Sequence, residues 1–154
     1  MQRGSRSSRG TTIREGTGEK NWYAIAAYVA FSIVCFGYIV WNIYQFGAGA
    51  AVGFVIITVF GVLALLGLAT FVPLFKDSAY LRGTGAGWNP KWWFYIGGPI
   101  LAVVVVYIAT EAIGIETATT EVSGGVMSIF VLPVATAVSN AYYLYQRHRY
   151  VGVP

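Results

Sequence analysis

Residues Trp22–Tyr44 read WYAIAAYVAFSIVCFGYIVWNIY, a run without a formally charged side chain. At about 1.5 Å of rise per residue, such a run crosses the ~30 Å hydrocarbon layer of a bilayer as a helix. Aromatic rings stand at both ends, Trp22 and Tyr23 at one and Trp41 and Tyr44 at the other, as expected where amphipathic rings settle at headgroup level. The run therefore sets the class: an all-α, polytopic integral membrane protein. Composition agrees, since 56% of the 154 residues are hydrophobic and 10% are charged, against about 25% charged in ordinary soluble domains.

Further apolar blocks follow, and the spans are expected at about 22–44, 49–75, 92–114 and 122–145. Four transmembrane helices in two antiparallel hairpins result, within a membrane domain covering residues 21–147. Pro73 falls in the last turn expected for the second span, where a missing N–H costs least. The segment 76–91, KDSAYLRGTGAGWNPK, combines charges with Gly and Pro and is expected to be a loop outside the membrane. Residues 1–20, rich in Arg, Gly, Ser and Thr, bury too little to offset the entropy of ordering and are expected to form a disordered basic tail. Residues 148–154 are expected to form a short C-terminal tail.

Charge fixes the orientation, because Lys and Arg near span ends stay on the cytoplasmic side. Arg3, Arg6, Arg9, Arg14 and Lys20 precede the first span, Lys76, Arg82 and Lys91 lie between the second and third, and Arg147 and Arg149 follow the fourth. With four spans all of them share one side. The opposite connectors carry Glu116 and Glu121 instead, with Glu111 one turn inside the third span. Both termini are therefore expected to be cytoplasmic, in the cell membrane.

Several chemistries are excluded or disfavoured. One Cys, Cys35, and one His, His148, cannot build an internal disulfide, a zinc site or an Fe–S site. No Lys lies within a span, which excludes a retinal Schiff base. Gly83-Thr84-Gly85-Ala86-Gly87 has neither the third glycine of a dinucleotide loop, since position 88 is Trp88, nor a Walker Lys. No catalytic triad or paired carboxylates can be assembled. The chain is not expected to be an enzyme or to hold a metal or cofactor.

The remaining candidates are polar groups inside spans. Glu111 is the only acid well inside an apolar block, where an ionisable group at mid-bilayer costs about 2.5–3.5 kcal/mol on insertion scales. Tyr107 lies one turn before it. Near the span end, Glu111 is read either as an interfacial anchor or as part of an ion path. Thr136, Ser139 and Asn140 form a polar stripe on the fourth helix at three- and four-residue spacing, for hydrogen bonding between helices or for lining a cavity. Gly49, Gly53, Ala64 and Gly67 share a narrow arc of the second helix and would let another helix approach closely, in this chain or in a second copy.

Two segments carry a resemblance: Asp77-Ser78-Ala79-Tyr80-Leu81-Arg82 followed by Trp88-Asn89-Pro90, and the ending Tyr143-Leu144-Tyr145-Gln146-Arg147-His148-Arg149-Tyr150-Val151-Gly152-Val153-Pro154. The chain resembles small uncharacterised multi-span membrane proteins of halophilic archaea. The resemblance implies a cytoplasmic central loop and a cytoplasmic C-terminus, and assigns no functional residue. The net charge of +4 departs from the acidic habit of halophile proteins. The expected role is a non-enzymatic accessory or scaffold component of the cell membrane, the alternative a small transporter or channel working as an oligomer. Membrane lipids, other membrane subunits or copies of itself are the expected partners; nucleic acid is not, although the basic tail could touch anionic surfaces.

Overall fold

A computed structural model describes residues 20–47, 49–83, 88–113 and 124–151. The expected disordered tail up to residue 19, residues 84–87 of the central loop, the connector bearing Glu116 and Glu121, and the last three residues lie outside the described residues. The chain is all-helical over the described residues, with four helices: α1 (Asn21–Phe46), α2 (Ala50–Gly83), α3 (Trp92–Ile113) and α4 (Gly124–Val151). Three of them, α1, α2 and α3, are long and apolar enough to cross a membrane, with mean hydropathy of 2.0, 2.7 and 1.9 over their most apolar windows.

The turn between α1 and α2 is made where the sequence offers glycine. Gly47 has φ +69°, a conformation that side-chain-bearing residues rarely adopt, and its N–H donates to the Ile43 carbonyl at 2.9 Å, closing the end of α1. One sequence expectation fails in α2. The segment 76–83 is helix rather than loop, so Pro73 is an interior residue. The physical reason is that Asp77, which reads locally as a surface charge, is fully buried and paired against α4, so the helix is held by packing beyond its apolar block. Residues 148–151 likewise continue α4 as helix instead of opening the C-terminal tail.

Contacts across the bundle fix its polarity. Arg147, near the end of α4, stacks over the Trp22 ring at the start of α1, 5.3 Å from its centroid. Ser139 Oγ donates to the Tyr95 carbonyl near the start of α3 at 2.8 Å, and Asp77 meets Arg147 near the end of α2. The start of α1, the end of α2, the start of α3 and the end of α4 thus share one end of the bundle. All described basic residues, from Lys20 to Arg149, lie there, while Glu111 is in the last turns of α3 at the other end.

α4 packs against all three other helices, whereas α1 and α3 are not adjacent among the described residues. This explains why α4 is the least apolar. Side chains such as Thr136 and Asn140 can be carried by a helix whose neighbours cover them, while α1 and α2 turn Val34 and Phe54 outward. Outward-facing apolar side chains of this kind suit hydrocarbon and not water.

Candidate functional site: a polar seam between α2 and α4

Buried residues recur along α2 at Leu63, Gly67, Thr70, Leu74, Asp77, Ser78 and Leu81, the three- and four-residue spacing of one helix face. Facing them on α4 are Pro133, Thr136, Asn140, Tyr143 and Arg147, all buried. Two inward stripes thus meet along their length, and the polar members of each fall opposite one another.

At mid-helix the Tyr28 hydroxyl, reaching in from α1, lies 3.3 Å from both the Leu63 and the Pro133 carbonyl oxygens. Gly67 is what admits it. A Cβ at that position would stand 2.9 Å from Tyr28 Oη and 3.2 Å from Thr136 Cγ2, so the close approach of three helices requires a residue without a side chain. One turn on, Asn140 Nδ2 donates to Thr70 Oγ1 at 3.0 Å, and Thr70 donates to the Gly67 carbonyl at 2.6 Å.

The seam ends in charge. The Tyr143 hydroxyl donates to Asp77 Oδ2 at 2.7 Å, and Arg147 Nε donates to the same oxygen at 3.1 Å. Asp77 is fully buried and Arg147 nearly so. Bringing two charges out of water costs several kcal/mol per ion, roughly, unless geometry and further hydrogen bonds repay it. Here the repayment comes from the Tyr143 hydroxyl and from the Trp22 face under the guanidinium. Asp77 Oδ1 is also buried and has no protein hydrogen-bond partner among the described residues.

The residues singled out from sequence divide between separate places. Thr136 and Asn140 are buried in the seam. Ser139 is turned to α3 by its bond to Tyr95. Tyr107 and Glu111 sit on exposed faces of α3. Tyr95, level with Ser139, is sixteen residues from Glu111, about 24 Å along a helix, so the structure does not bring Glu111 together with Asn140. Of the small-residue set, Gly67 is at a close approach, Ala64 is half-buried, and a Cβ at Gly49 or Gly53 would meet nothing within 4 Å. Sequence reasoning misses Asp77, Tyr143, Arg147, Tyr28 and Thr70. Their signal is present as spacing, since Thr136, Asn140, Tyr143 and Arg147 follow one helix stripe, but in sequence Arg147 counts only toward the topology charge.

No protein-family model, curated protein or solved structure matches this chain.

Proposed function

We propose that this chain is a non-enzymatic, four-span component of the cell membrane, with both termini cytoplasmic, serving as an accessory or scaffold subunit. One observation carries the reading: the main charged and polar side chains of the seam pair across helices, with only single atoms such as Asp77 Oδ1, Ser78 Oγ, Thr136 Oγ1 and Asn140 Oδ1 left without a hydrogen bond among the described residues. Asp77 closes on Arg147 and Tyr143, Asn140 on Thr70, and Tyr28 on two carbonyls. A permeation path would instead turn such groups toward an aqueous lumen. α4 is taken as the fourth span because it runs beside the three apolar helices, and its polar side chains at Thr136, Asn140 and Tyr143 are covered by them. The basic end, bearing Lys20, Lys76, Arg82, Lys91 and Arg149, faces the cytoplasm by the charge rule.

The test is purification of a tagged chain from its native membranes in mild detergent, with the mass and the co-purifying chains determined. A heteromeric assembly is expected. A partner-free homomer of defined mass that conducts a solute in vesicles would replace this reading with the transporter.

A further inference from the structure

An apolar groove of about 510 Å³ runs between α3 and α4, lined by Phe94, Gly98, Pro99, Val138 and Tyr142 among others. At its basic end it meets a second, more polar hollow of about 340 Å³ formed with Trp88, Asn89 and Lys91; Phe94 and Tyr142 line both. The two hollows adjoin across Phe94 and Tyr142, the first apolar along the helices and the second more polar where the charged end begins. Lys91 is exposed, and no described acid pairs with it. Arg149, exposed beside Tyr150, continues the α4 stripe of Val138 and Tyr142.

The geometry points to a binding site for one anionic phospholipid, its phosphate beside Lys91 and one acyl chain laid in the Gly98–Val138 groove. Charge complementarity selects this occupant. An apolar slot ending at the Lys91 cation and an amphipathic Trp/Tyr rim matches a lipid with a negative headgroup, and basic pockets between helices at the cytoplasmic surface favour such headgroups. A second copy of the chain would bring its own cations to the same end and meet repulsion there. The site rests on the membrane reading above.

The groove can be filled without disturbing the helix. A Cβ at Gly98 meets nothing within 4 Å, so Gly98→Leu extends into open space and also replaces a poor helix former. Membranes are first washed with carbonate: a chain that washes off overturns the membrane reading, whereas a retained chain leaves the site to be tested by itself. Purified full-length chain is then titrated with phosphatidylglycerol, or with phosphatidylcholine of the same acyl chains, and bound lipid is read by native mass spectrometry. We expect one phosphatidylglycerol per chain, held at least about tenfold more tightly than phosphatidylcholine. Lys91→Gln should weaken it about fivefold, the worth of one basic residue at a membrane surface, and Gly98→Leu should remove it. Lys20→Gln with Lys76→Gln, at the same end but on the other hairpin, should leave it in place. Equal retention of the two lipids, undiminished binding to Gly98→Leu, equal loss in the Lys20/Lys76 control, or a dimer that excludes lipid would each overturn the site.

Discussion

Arg147 Nε lies 3.1 Å from Asp77 Oδ2 across 70 residues of sequence, with both side chains shut away from solvent. This pair ties the last turns of α2 to those of α4. Removing one partner leaves a buried charge without compensation, which costs about 3–5 kcal/mol in comparable sites, whereas replacing both by apolar groups is often neutral. Arg147→Met and Asp77→Leu are therefore each expected to lower the unfolding temperature in detergent strongly. The double variant should recover most of the loss. Equal, additive losses in a double-mutant cycle would contradict a direct interaction.

Gly67 and Gly53 should respond oppositely to the same substitution. Gly67→Ala drives a methyl against Tyr28 Oη and Thr136 Cγ2, a form of overpacking that costs roughly 1–3 kcal/mol. Gly53→Ala meets open space and gains helix propensity, stabilising by up to about 1 kcal/mol. Thermal denaturation of the two variants followed by tryptophan fluorescence checks this. Destabilisation by Gly53→Ala would show that its face is covered by another chain.

The neutral hydrogen bonds of the seam should matter less than the ion pair. Thr70→Val removes the acceptor of Asn140 Nδ2 while keeping the shape, and bonds of this kind between membrane helices average about 0.6 kcal/mol. A small drop in thermal stability is expected, well below that of Arg147→Met. A larger drop in Thr70→Val would move the weight of the seam from its charged end to its middle.

The helices as such are legible in the sequence, because apolar runs report lipid contact directly: α1 and α3 begin and end within two residues of their expected bounds. The end of α2 is not. Lys76 and Asp77 break the apolar run, and only a partner 70 residues away makes Asp77 an interior group. Thr136 and Asn140 are legible through their spacing, since an inward polar stripe is a local pattern. Gly49 and Gly53 meet no neighbour within this chain among the described residues, because a small-residue step says that a helix can approach and not which one. Glu111 draws notice as an acid in an apolar block, yet its place in the last turns of α3 keeps it on an exposed face.

Whether α4 crosses the membrane beside the other three helices is read most directly by cysteine accessibility in cells. In a Cys35→Ser background, single cysteines are placed by Lys91→Cys, Glu111→Cys and Arg149→Cys and exposed to a membrane-impermeant maleimide. Glu111→Cys is expected to label in intact cells, and Lys91→Cys and Arg149→Cys only after permeabilisation. Labelling of Arg149→Cys from outside would contradict a spanning α4, because α4 would then end on the same side as Glu111 and the fold would have three spans.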